Sequence, residues 1–143
     1  MCGSTPTAST MIKQRVEVPI YGYTIWLVKL SFDDYKKEVR PTTASIGLKS
    51  KRIDLDEETC DEIDENIKDG DYNGAITCHR GKQRKAVVFF YPIDNEEKAI
   101  EIYDHEKRHL EDFILNFLDV DDTEAAAYLA GYLGKVFWKF KNK

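Results

Sequence analysis

Hydrophobic and polar residues alternate along the first third of the chain in a pattern that predicts β-strands. Residues 16–20 and 23–28 are rich in aromatic and β-branched side chains, and Tyr21-Gly22 marks a break between them. Residues 32–39 form a short polar segment that predicts one or two helical turns. Residues 43–48 predict a weak strand. This part of the chain therefore indicates a strand pair followed by less regular structure.

An acidic stretch in the middle of the chain has the spacing of a helix. Ile63 and Ile67 lie four residues apart within residues 56–68, which places them on one face. Gly70 follows directly, and glycine is the residue that most often ends a helix. We therefore predict a helix over residues 56–68 that stops at Gly70.

The next segment predicts a β-hairpin. Residues 73–79 and 85–91 have strand character, and Arg80-Gly81-Lys82 lies between them as a turn. Residues 86–90 form the most apolar run of all the predicted strands, so we expect this strand to be central in the sheet.

The last third changes to helical periodicity. Asp94 and Glu97 have the spacing of a capping box, with Asp in place of the usual Ser or Thr, and predict a helix over residues 95–118. A second helix is predicted over residues 123–141. Strands followed by a helix pair indicate an α+β fold, with a small antiparallel or mixed sheet before the two helices.

Length and charge narrow the class of protein. The chain has 143 residues and a net charge of −5, which favours one domain and argues against nucleic-acid binding. We assign residues 1–14 to a flexible N-terminal segment and residues 15–143 to the domain. No apolar run is long enough to span a membrane, and the N-terminus lacks the apolar region of a secretory signal. The three widely spaced cysteines indicate reduced thiols in a cytoplasmic protein.

The segment His105-Glu106-Lys107-Arg108-His109 carries the candidate chemistry. It has the pattern HExxH within the first of the two C-terminal helices. Residues four apart on a helix lie on one face, so both imidazoles can reach a single zinc ion. On a helical wheel Glu106 falls on the core-facing arc, whereas Lys107 and Arg108 face solvent. A carboxylate on a core-facing stripe is costly to bury, which favours a functional site.

A catalytic zinc usually has a third protein ligand, and Glu124 is the candidate. It lies in the first turn of the second helix, where a negative charge is also favoured by the helix dipole. Small residues at Ala127, Ala130, Gly131 and Gly134 would let the two helices approach closely. If the first helix runs straight to Leu118, about 13 Å of helix separates its end from His109. We therefore expect an earlier end of that helix or a steep crossing.

Together, HEKRH, a short acidic turn and E-x-x-A-Y-L-x-G-Y-L resemble the small HExxH metallopeptidase-like proteins of phages and mobile elements. More distantly the layout resembles gluzincins, the thermolysin-like zinc peptidases, in a minimal form. The specific part of the resemblance covers residues 105–133. It implies a zincin-like fold, zinc held by His105, His109 and Glu124, Glu106 as the general base, and a strand that binds an extended peptide. Gluzincins often have an aspartate where Tyr128 stands here.

These features predict a zinc metallopeptidase that acts on a peptide or protein substrate. Glu106 would accept a proton from the attacking water. Tyr128, Tyr132 and His79 are the candidates for a donor to the oxyanion, although His79 precedes a turn and is expected to be exposed. Two alternatives stay open: a catalytically silent metal-binding or scaffold protein, and a metal-free interaction module that uses the acidic stretch or the aromatic strands.

Overall fold

The fold was analysed on a computed structural model, which describes residues 11–53 and 55–143. Within these ranges a four-stranded sheet lies between two long helices on one face and a shorter helix with a loop on the other. The predicted flexible segment falls largely on residues outside the described part. Its last residues, 12–14, already belong to the first strand.

The sheet is mixed and contains all four strands. They are β1 (Ile12–Val18), β2 (Tyr23–Lys29), β3 (Ala75–Arg80) and β4 (Lys85–Phe90), in the spatial order β1-β2-β4-β3. β1 pairs antiparallel with β2, β2 pairs parallel with β4, and β4 pairs antiparallel with β3. The predicted central position of residues 86–90 is confirmed, and so are the α+β class and the mixed sheet.

Four helices complete the described structure. They are α1 (Phe32–Lys36), α2 (Glu57–Asp69), α3 (Glu96–Phe117) and α4 (Thr123–Lys141). Each predicted helix is confirmed, and α4 has the predicted bounds.

The helix ends follow from local chemistry. The Asp56 side chain accepts a hydrogen bond from Thr59 N–H at the start of α2, and Gly70 ends this helix with a φ of 78°. At the start of α3 the cap is Asn95, which accepts from Lys98 N–H. The predicted capping box of Asp94 and Glu97 is therefore wrong. The cap is the next residue, Asn95, and asparagine caps helices as well as aspartate does.

Residues 43–48 were predicted as a weak strand, and this prediction is wrong. The Ile46 and Leu48 N–H groups donate to the Thr42 and Thr43 carbonyls, four and five residues earlier, so hydrogen bonds within turns satisfy these backbone groups. The Thr43 N–H and hydroxyl both donate to the Asp64 carboxylate of α2. This segment packs against α2 instead of extending the sheet.

Two apolar cores lie on opposite faces of the sheet. Strand residues alternate between them, as the pleat requires. The face under α3 and α4 buries Ile25, Leu27, Val88, Phe90, Tyr103, Leu110, Leu133 and Phe137. The other face buries Val28, Leu48, Ile53, Cys60, Ile63, Ile67, Val87 and Phe89.

The two long helices cover different halves of the first face. α3 lies over β3 and β4, where the ring of Tyr103 stacks on Phe90 with centroids 3.9 Å apart. α4 lies over β1 and β2, where the Tyr132 hydroxyl donates to the Glu17 carbonyl. The expected close approach at small residues is absent, because a Cβ at Gly131 or Gly134 would meet no atom within 4 Å.

Candidate functional site

His105 and His109 form a close pair on the exposed flank of α3. Their Nε2 atoms are 3.0 Å apart, and the rings meet edge to face with centroids 4.6 Å apart. Both side chains are exposed. Helical spacing of four residues accounts for the pairing, because it puts both rings on the same side of adjacent turns. The two nitrogens therefore converge on one point at the surface.

Glu106 lies between the two histidines in the sequence, and its side chain is buried. It is 7% exposed, and its Oε2 accepts a hydrogen bond from the Thr77 hydroxyl on β3. The prediction that Glu106 faces the core is thus confirmed. Thr77 was not identified from the sequence, although the alternation of Ala75, Thr77 and His79 along one face of β3 was a usable signal.

The solvent exposure of the residues after Glu106 agrees only in part with the helical-wheel prediction. Arg108 is exposed, as expected. Lys107, predicted to face solvent, instead forms an ion pair of 2.8 Å with Glu111, and the two side chains are 16% and 9% exposed. The packing of α4 beside α3 covers this side of the helix, which a wheel for one helix cannot anticipate.

The histidine pair lies on the flank of α3 that faces β3. His109 stacks with Phe113 at a centroid distance of 6.0 Å, and Phe113 packs on His79 of β3 at 4.1 Å. β3 is one of the two edge strands of the sheet, so one side of its backbone is unpaired within the described residues. The pair therefore lies beside an open sheet edge.

His79 differs from its predicted exposed state. It is half-buried, and its Nδ1 is buried with no hydrogen-bond partner among the residues described. Burial lowers the pKa of its imidazole. All three histidines of the chain thus lie in the region where α3 meets β3.

Among the described residues, Glu124 forms no metal-holding group with the histidine pair. α3 continues to Phe117, so the first of the two expected geometries, an early end of this helix, is not observed. The groove between α3 and α4 is lined by Lys107, which lies on the flank of α3 opposite His105. Glu124 is exposed in the first turn of α4, and Tyr128 is 43% exposed one turn later.

In the described part of the chain, no group of three or more His, Cys, Asp or Glu side chains could hold a metal ion. The residues thus fit two protein ligands of a zinc site, and the roles of Glu124 and Tyr128 stay predictions. Of the other candidate oxyanion donors, the Tyr132 hydroxyl is engaged by the Glu17 carbonyl, 2.9 Å away. His79 is the one that lies near the pair.

No protein-family model matches this chain, and no curated protein or solved structure does either. Among the described residues, no helix is both long enough and apolar enough to cross a membrane. The functional argument therefore rests on the geometry of α3 and β3.

Proposed function

We propose that the protein is a zinc-dependent metallopeptidase whose metal is held by His105 and His109. The observation that carries this proposal is the 3.0 Å separation of the two Nε2 atoms. Two nitrogens bound to one tetrahedral zinc at about 2.0–2.1 Å would be roughly 3.3 Å apart. A shift of a few tenths of an ångström therefore converts the observed pair into two ligands.

The remaining parts of the site have roles consistent with peptide hydrolysis. A zinc ion at this pair would supply Lewis acidity toward a peptide carbonyl and make water a better nucleophile. Glu106 would accept the proton of the attacking water, and Thr77 would hold its carboxylate in one orientation. The free edge of β3 could pair with an extended peptide as an added strand.

The first experiment measures metal binding. Protein purified without an affinity tag is analysed for zinc content and titrated with zinc by calorimetry. We expect one zinc per chain in the wild type, its loss in the H105A/H109A double variant, and its retention in His79→Phe. His79→Phe is the matched control because it removes the third histidine and leaves the pair. Absence of zinc from the wild type, or equal binding by the double variant, would overturn the proposal.

The second experiment measures hydrolysis of a peptide library. Glu106→Gln should keep zinc and lower the rate by at least about 100-fold, because general-base catalysis contributes roughly 10²–10⁴. Glu101→Gln makes the same change at an exposed position of α3 and should leave the rate unchanged. An unaltered rate in Glu106→Gln would exclude its role as the base.

The role of Glu124 as a third ligand is tested separately. Glu124→Gln should weaken zinc binding if this carboxylate reaches the ion in the metal-bound protein. Unchanged affinity would remove Glu124 from the ligand set and leave the histidine pair in place.

A second candidate function is a metal-binding protein without catalysis. Two observations favour it: Glu106 is buried and bonded to Thr77, and Glu124 forms no metal-holding group with the histidines among the described residues. This candidate predicts zinc binding by the wild type with no turnover of any library peptide. A protein that binds no zinc would point instead to a metal-free interaction module.

A further inference from the structure

A second feature lies on the opposite face of the sheet from α3 and α4. The strand register aligns Glu17, Thr24, Lys85 and Arg80 across β1, β2, β4 and β3. Directly paired residues project from the same face of a sheet, so these four side chains share one face. α2 and the loop before it cover the apolar residues of this face. The four polar residues form a row at one end of the sheet, beside this apolar core.

A cavity opens at this polar end of the sheet. Its volume is about 350 Å³, and Arg15, Thr24, Trp26, Arg52 and Lys85 line it. Small-molecule sites have volumes of roughly 300–1,000 Å³, so the space is adequate for a small organic ligand. The cavity is thus built from strand residues in register and one arginine from the loop before α2.

The charge of the lining is unbalanced. Arg15 pairs with Glu17, with Nη2 and Oε1 2.6 Å apart, and the Thr24 hydroxyl donates to the same carboxylate. Arg52 and Lys85 have no ion pair with any carboxylate in the described residues. The cavity therefore carries excess positive charge, although the whole chain has a net charge of −5.

Trp26 lines the cavity and also carries an unused hydrogen-bond donor. Its indole Nε1 is buried and has no acceptor within the described part of the chain. A buried donor without an acceptor costs free energy, as does the proximity of like charges. The cost of the like charges falls when an anion with several acceptor oxygens enters the cavity.

We propose that this cavity binds a small phosphate-bearing molecule, such as a phosphate monoester. Arginine matches the geometry of phosphate oxygens with two parallel N–H donors, and lysine adds a point charge. Arg52 and Lys85 supply these groups without breaking an ion pair among the residues that the structure describes. The site is separate from the histidine pair, because the sheet lies between them.

The chain offers an internal probe for this test. It has two tryptophans, Trp26 in the cavity and Trp138, which is 61% exposed on α4. Trp138→Phe leaves Trp26 as the only indole fluorophore. This variant is titrated with inorganic phosphate, glucose 6-phosphate and unphosphorylated glucose at constant ionic strength, and calorimetry on the wild type provides a second readout.

We expect a saturable change in Trp26 fluorescence with glucose 6-phosphate and none with glucose. Arg52→Gln or Lys85→Gln should weaken phosphate binding at least tenfold. Lys139→Gln removes the same charge from an exposed position on the other side of the sheet and should have no effect. Circular dichroism checks that each variant is folded.

Three results would overturn the proposal. The first is no saturable binding of either phosphate compound by the wild type. The second is equal binding by wild type, Arg52→Gln and Lys85→Gln. The third is tighter binding of a short single-stranded oligonucleotide than of glucose 6-phosphate, which would indicate a polymer backbone as the ligand.

Discussion

The hydroxyl of Thr77 on the edge strand donates a hydrogen bond to the buried carboxylate of Glu106 on α3. This contact joins two segments that are far apart in sequence and fixes the one buried residue of the HExxH segment. A buried carboxylate requires such a partner, because an unpaired charge in the interior is strongly unfavourable. The orientation of α3 on the sheet therefore depends partly on a threonine.

Thr77→Val should lower the free energy of unfolding by about 1.5–3 kcal/mol, because it leaves the Glu106 carboxylate without this donor. Thr77→Ser retains the hydroxyl and should lose much less. Urea denaturation of the two variants and the wild type provides the comparison. Equal stability of Thr77→Val and wild type would show that solvent replaces the donor.

The pH dependence of stability should include a contribution from His79. Burial lowers the pKa of His79 in the folded protein below its usual 6.5. The unfolded chain therefore binds the proton more readily, so stability falls as pH drops below about 6.5 toward the folded pKa. His79→Phe keeps a ring beside Phe113 and removes the titration.

Chemical denaturation at about pH 8 and about pH 5 measures this effect. The loss of stability between the two pH values should be smaller in His79→Phe than in the wild type. An identical loss in both proteins would mean that other groups determine the acid sensitivity.

Gly81→Ala should destabilise the protein, because Gly81 packs directly against the Phe117 ring at the end of α3. A Cβ at Gly81 would lie 2.5 Å from Cδ2 of Phe117, so the ring must move. Such overpacking costs about 1–3 kcal/mol. Gly131→Ala is the matched control: its Cβ would meet no atom within 4 Å, and removing a helix-interior glycine should stabilise by about 0.5–1 kcal/mol.

Thermal unfolding distinguishes these two glycines. The melting temperature should fall for Gly81→Ala and rise for Gly131→Ala. Adding Phe117→Ala to Gly81→Ala should make the Gly81 substitution nearly neutral relative to Phe117→Ala alone. A full effect in that background would assign the loss to the backbone of the turn.

Lys29 should stabilise the C-terminal end of α4. Its Nζ donates to the carbonyls of Phe140, Lys141 and Lys143 at 2.8, 3.2 and 3.1 Å. Lys29→Met should lower the free energy of unfolding by about 1–2 kcal/mol, because the last carbonyls of the helix lose a cationic cap. Hydrogen exchange should also accelerate in the last turn of α4.

Lys139→Met is the control for this prediction, since Lys139 is exposed on the same helix. Denaturation and hydrogen exchange are measured on both variants. Comparable effects of the two substitutions would indicate a general charge effect and not a specific cap.

The sequence was most informative where structure depends on neighbouring residues. Asp56 and Gly70 bound α2 as predicted, because capping and the left-handed conformation of glycine are local properties. The strand order was not predicted. The parallel pairing of β2 with β4 depends on contacts between segments separated by residues 30–84, which no local pattern specifies.

The candidate site also has some features that follow from local sequence and others that depend on how distant segments pack. The positions of His105 and His109 on one helix face and the burial of Glu106 follow from a period of 3.6 residues. The partner Thr77 and the burial of Glu111 depend on how β3 and α4 pack against α3, so they could not be read from the motif. The relation of Glu124 to the pair also depends on that packing.

The mixed sheet has a consequence for how the chain folds. The β1–β2 and β3–β4 hairpins can each form within a short stretch of chain, but they meet only along the parallel seam between β2 and β4. β2 and β4 can pair only after residues 30–84 have folded back across the sheet. The chain therefore loses the entropy of closing a long loop before the contacts between these strands form. During synthesis, β1 and β2 leave the ribosome before β4 can pair with β2 and before α4 can cover their apolar face.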